Sequence, residues 1–206
     1  MFSEEGEIKL NSREDVAKML GITDKYLRYI IYAKKVDNMY VEISIPKRNG
    51  GVRQISAPEK QLKSLQRKLL RYLESKYVPR KSVFGFVSGK SIYNNAAKHC
   101  KKGEILNIDL KDFFSQIHFG RVLGLLKKEP YALGDEAALT ITQLVCYKKS
   151  LPQGAPTSPI ISNMVCVSLD RQFMELARKY HIPVYATLGT WLEMAPIVGE
   201  IPESLK

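Results

Sequence analysis

One short stretch brings together residue types that could do chemistry. In Leu106-Asn107-Ile108-Asp109-Leu110, apolar residues at 106, 108 and 110 alternate with their neighbours. That pattern predicts a strand, with Asp109 on the face opposite the apolar set near its C-terminal end. Phe113 and Phe114 follow at once. A carboxylate in such a place can hold a metal ion, and an aromatic beside it can rest against a flat substrate. Taken alone, the segment reads more readily as a solvated Asp at a strand end.

Cations supply the second chemistry. The chain carries a formal charge of +11, and the excess is clustered. Between Pro46 and Lys81 eleven Lys or Arg stand against Glu59 and Glu74, a local balance of 11 − 2 = +9. A folded block of that sign points to a polyanion, most often nucleic acid, with a merely soluble basic surface as the alternative. Within the block, Lys60 to Tyr77 has helical periodicity. Leu62, Leu65, Leu69 and Leu73 form one stripe, and Lys60, Lys63, Arg67 and Arg71 another with no acid among them. One face is expected to pack on a core and the other to present a basic ridge to a phosphate backbone.

The elements that must position these groups read as follows. Residues 12 to 33 predict two short helices, with Ser12 and Asp15 as a capping box, Gly21 as a stop, and Thr23 or Asp24 as a restart. Val16 to Ile22 is similar to the start of a helix-turn-helix, but its second helix lacks base-reading side chains, so a small helical cap is the better reading. Tyr40 to Ile45 alternates as a strand, and Asn49-Gly50-Gly51 predicts a tight turn into a second strand from Val52 to Ile55. Lys47, Arg48 and Arg53 would then sit at the tip and return strand of a two-stranded finger. Gly85 to Ser91 falls one residue short of a phosphate-binding loop, which excludes a nucleotide triphosphatase of that kind. Helices are expected over Ser91 to His99, over Asp135 to Tyr147 with Asp135 as N-cap, and over Ile161 to Tyr180. The last has apolar residues at 165, 169, 173, 176 and 180. Leu151 to Pro159, with three prolines and a glycine, predicts a rigid loop.

Composition bounds the remainder. At 206 residues and 45% hydrophobic content the chain can bury one good core with a small appendage. No apolar run approaches the ~18 residues that suggest a membrane span. Three widely spaced cysteines, Cys100, Cys146 and Cys166, without a C-x-x-C, argue against a disulfide framework or a zinc site and suit a reducing cytoplasm.

These motifs together resemble a bacterial retron-type reverse transcriptase. Asn107-Ile108-Asp109-Leu110 with Phe113-Phe114 is similar to the first catalytic palm motif, and Leu151 to Pro159 to the nucleotide-pocket loop. Ile45-Pro46-Lys47 through Gly50-Gly51-Val52-Arg53 resembles the fingers hairpin, and Asn95-Ala96 with His99 an N-A-x-x-H element typical of retron enzymes. The motifs occur in order over roughly residues 26 to 185. The resemblance implies an α+β fold, the fingers and partial palm of a right-hand polymerase with a small N-terminal helical segment and no thumb. It implies an N-terminal segment over 1–39, a fingers and partial palm domain over 40–186, and an atypical tail over 187–206. It also implies that Asp109 binds catalytic Mg²⁺ with the Leu110 backbone carbonyl nearby, and that Phe114 lies under the incoming sugar. Gln153 would touch the incoming nucleotide, and Arg53 with Lys47 would neutralise its triphosphate. The partners implied are a structured non-coding RNA serving as template and primer, dNTPs, and a separate effector protein in anti-phage defence, with no membrane.

One departure bears on activity. The family's strand after the helix ending near Tyr180 leads to a Tyr-x-Asp-Asp turn. Here Val184-Tyr185-Ala186 begins that strand and Thr187-Leu188-Gly189-Thr190-Trp191-Leu192 follows, with no Asp after Asp170. Two-metal nucleotidyl transfer needs carboxylates that bridge ions about 4 Å apart. The expectation is a truncated or frame-changed enzyme that does not polymerise by itself, the alternative being a non-catalytic RNA-binding fingers–palm module.

Overall fold

The structure, a computed structural model, describes residues 9–46, 50–99, 106–180, 184–187 and 191–194. In chain order the elements are α1 (Arg13–Leu20), α2 (Asp24–Arg28), a π-helix (Tyr29–Lys35), a 3₁₀ turn (Val36–Met39), β1 (Tyr40–Pro46) and β2 (Val52–Pro58). Next come α3 (Lys60–Lys76), α4 (Ile92–His99), β3 (Leu106–Asp109), α5 (Phe113–Gln116), α6 (Phe119–Lys127) and α7 (Asp135–Val145). The last are α8 (Ser158–Lys179), β4 (Val184–Thr187) and β5 (Trp191–Met194). They divide into two compact units, residues 1–76 with 114–158 and residues 77–113 with 159–206. Mixed helices and antiparallel strands agree with the expected α+β class. No helix among the described residues is long and apolar enough to cross a membrane.

In the first unit the local signals act as chemistry dictates. The Ser12 hydroxyl accepts from the Asp15 N–H while the Asp15 carboxylate accepts from the Ser12 N–H, closing the capping box that starts α1. Gly21 ends it at φ 62°, a left-handed cap that a β-carbon would oppose. Thr23 caps α2. Val16, Ala17, Leu20, Leu27 and Ile30 are buried, and Arg13 ties the pair together by bonding both Asp24 and, on α7, Glu136. On α3 all four stripe leucines are buried.

Two expectations need correction here. Asp135 is the first residue of α7, and the N-cap is Gly134. The Gly134 α-carbon lies against the backbone of Asn11, where any β-carbon would collide, so no capping side chain fits. Helix α6 is absent from the sequence reading, because Gly120 and Gly124 lower its propensity. His118 starts it, Nδ1 accepting from the Arg121 N–H.

The second unit holds α4, β3, β4, β5 and nearly all of α8. Ser91 and Asn94 exchange side-chain and backbone hydrogen bonds at the start of α4. The strands form an antiparallel sheet in the order β3-β5-β4. The chain between Tyr77 and α4 is held from two sides. The Lys90 ammonium donates to the carbonyls of Arg80, Lys81 and Val83 and sits 4.6 Å from the Phe84 ring centroid. The Asn163 amide on α8 donates to the Gly85 carbonyl at 2.9 Å. Lys90 therefore cannot act as a phosphate-loop lysine, which supports the exclusion made from spacing. Helix α8 starts three residues earlier than expected, at Ser158. Its stripe at 165, 169, 173, 176 and 180 is only half-buried, whereas Ile161, Met164 and Asp170 are buried.

Candidate functional site

Two of the expected nucleotide-handling residues are positioned within the first unit. Strands β1 and β2 pair antiparallel with Ile45 opposite Arg53 and Pro46 opposite Val52. Gly50 and Gly51 follow the tip at φ 80° and 82°, where the absence of a β-carbon is what permits the reversal. Arg53 projects from the return strand and is exposed. Lys47 lies outside the described residues.

The proline-rich loop is sewn to that strand. The Ser56 N–H donates to the Gln153 carbonyl at 2.8 Å. At Gly154, φ 128°, an added β-carbon would lie 2.6 Å from Ile55 Cγ2 and 3.0 Å from the Ser56 oxygen. Only glycine lets the two backbones approach so closely. The loop is fixed further by Leu151 N–H to the Ile117 carbonyl at 3.0 Å and by the buried Ser158 hydroxyl to the Pro152 carbonyl at 2.7 Å. Gln153 is left exposed on a loop whose neighbours Leu151, Pro152 and Ala155 are buried. Its position thus follows the hairpin that carries Arg53.

Behind this frame, strand β1 is anchored by a group that the sequence reading missed. Gln66 is buried on α3 and donates through Nε2 to the Tyr40 hydroxyl and to the Leu144 carbonyl, both at 2.8 Å. Its position between Leu62, Leu65 and Leu69 on the apolar stripe was the available signal. Burial raises the Tyr40 phenol well above its ordinary value, so it stays a neutral partner. The Tyr40 and Tyr147 rings lie 4.5 Å apart, and Glu42 accepts from the Tyr147 hydroxyl and the Lys148 ammonium. Those two hydrogen bonds, that from Lys148 foremost, lower the Glu42 carboxyl below its ordinary range.

Lys60, Lys63, Arg67 and Arg71 are all exposed along α3, opposite the buried leucines. Among the described residues none of the four meets a carboxylate partner, so the ridge presents unneutralised cations. Phe114, at the start of this unit's second segment, is half-buried, whereas Phe113 is buried.

The second unit holds Asp109 and Leu110. Asp109 closes β3, and the register sets it opposite Trp191, which also pairs with Thr187 of β4. Glu193 pairs with Asn107. The backbone of β3 to β5 is described, and the side chains of those strands, Asp109 included, lie outside the described residues. Leu110 is exposed at the point where the strand gives way to a turn. His99 is the last residue of α4 by its backbone alone.

Comparison with known proteins decides what these elements belong to. The family pattern of reverse transcriptase (RNA-dependent DNA polymerase) matches residues 45–186, more than half of the chain. This chain belongs to the reverse transcriptase family. Its similarity to retron reverse transcriptase Mx65 of Myxococcus xanthus is 38% identity over 82% of this chain and 44% of that protein. To retron Ec86 reverse transcriptase of Escherichia coli it is 35% over 78% of this chain and 50% of that one. The chain thus spans about half the length of the curated relatives it matches or less. Among solved structures, telomerase from Candida albicans in complex with a telomeric RNA fragment aligns over 81% of this chain and 38% of its own, with TM-score 0.51 and 13% identity. Apo telomerase from Candida tropicalis aligns over 84% and 49%, with TM-score 0.50 and 13% identity. At that identity the likeness is one of fold.

Reverse transcriptases as a family use Mg²⁺. Among the described residues no group of three His, Cys, Asp or Glu side chains comes together as metal ligands would. A two-ion centre rests on carboxylates shared between the ions. The donors described in this reverse transcriptase chain do not make up such a centre.

Proposed function

We propose that this chain is the fingers and partial palm of an RNA-directed DNA polymerase of the retron type, built to hold an RNA template–primer and an incoming dNTP. The observation that carries the reading is the close approach of Gly154 to Ile55 and Ser56, which sets Gln153 on the same rigid frame as Arg53. In this reading Arg53 and Lys47 neutralise the triphosphate, Gln153 touches the nucleotide, and Phe114 lies against the sugar and rejects a 2′-hydroxyl. The ridge Lys60, Lys63, Arg67 and Arg71 follows the phosphate backbone of a structured RNA. Asp109, with the Leu110 carbonyl, is a ligand for one Mg²⁺ when the full set of carboxylates is present. Residues 1–39 serve as a helical support, 40–186 as fingers and palm, and 187–206 as a tail. A defence effector as a further partner follows from the retron likeness alone.

We further propose that the 206-residue chain by itself binds RNA without extending a primer, because no Asp follows Asp170. A primer-extension assay on an RNA template with dNTPs and Mg²⁺ tests this directly. No extension is expected. Extension abolished by Asp109→Ala would sink the proposal and restore a complete centre.

A further inference from the structure

A cavity of about 210 Å³ opens in the first unit, away from the hairpin and the proline-rich loop, between the end of the π-helix and the turn that follows α7. Ile31, Val36 and Phe119 form apolar walls, and Cys146 completes them. Burial pushes the Cys146 thiol up to about 12, so it stays neutral and behaves as one more apolar surface. The polar groups are few: the Gln143 amide, the Asp37 carboxylate, and the ammonium groups of Lys35 and Lys149.

Three features of this lining have no explanation in the fold. Gln143 Oε1 is buried and accepts no hydrogen bond, although buried acceptors are nearly always paired. Lys148 and Lys149 fill a two-residue turn closed by reciprocal Tyr147–Ser150 backbone bonds, with φ of 46° and 66°. Such a turn favours Asn-Gly, since left-handed backbone opposes any β-carbon. Lys35 has φ 62° at the last residue of a π-helix, an element that is rare and recurs at functional sites. The neighbouring lysines are occupied, Lys34 with Glu59 and Lys148 with Glu42. Among the described residues Lys35 and Lys149 have no acidic partner. Two strained lysines at the mouth and an orphan acceptor inside are better understood as recognition than as packing. A trapped water would satisfy Gln143 but would leave both lysines unaccounted for.

We infer that this cavity binds a nucleotide whose base carries an exocyclic amine, with the amine donating to Gln143 Oε1, the ring between Ile31, Val36 and Phe119, and the phosphate at Lys35 and Lys149. The volume is below the ~300–1,000 Å³ of drug-sized ligand sites and suits a single base. Asp37 accepts from the Lys148 N–H at 3.2 Å and can take a second proton of the same amine. It also keeps the phosphate at the lysine-bearing mouth. The nucleotide is either free or an unpaired residue of an RNA strand. The choice of a nucleotide over a protein side chain rests on the reverse transcriptase reading.

The test is heteronuclear NMR and calorimetric titration of the 206-residue chain with AMP and with purine riboside 5′-monophosphate, which differs only in lacking the amine. AMP is expected to shift the Gln143 and Cys146 amides and to bind about tenfold tighter than its analogue. Gln143→Leu should erase that difference. Lys149→Gly should weaken both ligands several-fold without lowering the unfolding midpoint, a combination that a structural role does not produce, and it serves if Gln143→Leu does not fold. The RNA tetramers UUAU and UUUU separate the sources: tighter binding of UUAU than of AMP indicates a strand, and AMP alone a free nucleotide. Unmoved amides with both AMP and UUAU, as when the cavity takes a protein side chain, overturn the inference. So does AMP binding lost in Arg53→Ala but kept in Gln143→Leu, which would place the ligand on the hairpin. If the α3 ridge proves irrelevant to RNA while AMP still binds the cavity, the RNA-ridge reading fails and the cavity stands.

Discussion

The basic ridge of α3 and the Lys148–Lys149 turn carry the same charge under opposite backbone conditions. On α3, Lys60, Lys63, Arg67 and Arg71 are good helix formers on an exposed face, and the leucines opposite them hold the helix in place. Nothing local resists their presence, and nothing local would be lost with them. In the turn, φ of 46° and 66° costs about 1–2 kcal/mol for each residue with a β-carbon. Lys148 recovers part of this through Glu42 at 2.6 Å, though an exposed pair contributes little. Charges on a comfortable backbone are therefore best read together, as a field that attracts a polyanion. A charge on an uncomfortable backbone is best read singly, by what lies at its tip.

That contrast can be broken in four ways, of decreasing size. Leu69→Ala should remove about 2–5 kcal/mol of stability, because the ridge stands only while the buried stripe is seated. Urea unfolding that showed a loss below about 1 kcal/mol would mean α3 does not depend on that packing. Replacing Lys60, Lys63, Arg67 and Arg71 together by Ala should weaken single-stranded RNA binding about 100-fold near physiological salt and flatten the salt slope by about 3. Stability should change by no more than about 0.5 kcal/mol. An unchanged slope in a binding titration would dismantle the collective reading.

A third measurement uses a group outside both regions. Burial raises the Asp170 carboxyl from 3.8 to about 6, with Arg80 opposing the shift. The folded chain keeps a proton that the unfolded chain releases from about pH 4 upward. The stability from this group is therefore fully present below pH 4 and lost as pH rises through 6. Asp170→Asn should flatten that stretch of the stability–pH curve; an unaltered curve would show that Asp170 is solvated. The smallest effect is expected of Lys149→Gly, a gain of about 1 kcal/mol as strain is relieved. A loss of stability in thermal unfolding would show that the lysine contributes to the fold and would remove the contrast.

How much of this could be read from the residues depended on the range of the interaction. The Ser12–Asp15 box, the Gly21 stop, the Gly50-Gly51 reversal and the α3 stripe were all legible, since each is set by residues within one or two turns of each other. The extent of α6 was not, because its two glycines argue for a loop and only packing of Val122 and Leu126 overrides them. Asp135 was misplaced as a cap because the competing contact, Asn11 against Gly134, joins residues more than a hundred positions apart. Asp170 escaped notice because a search for apolar periodicity treats a buried acid as an interruption. For the candidate site, the motifs named Arg53, Gln153 and Asp109 in order, but gave no reason for the glycine at 154.

The sequence by itself determined the family and the chemistry on offer. The order of Asp109, the Leu151–Pro159 loop and the Arg53 hairpin is a property of covalent spacing, and so is the lack of any Asp after Asp170. Tertiary structure alone decided which of these residues share a frame. The Ser56–Gln153 bond and the β-carbon-free approach at Gly154 join segments about a hundred residues apart. The same is true of the cavity: Lys35 and Lys149 look like ordinary surface lysines until the chain folds and leaves both on left-handed backbone beside an unpaired Gln143. Local propensity is written in neighbours along the chain, whereas strain and an orphaned acceptor exist only when distant segments press together.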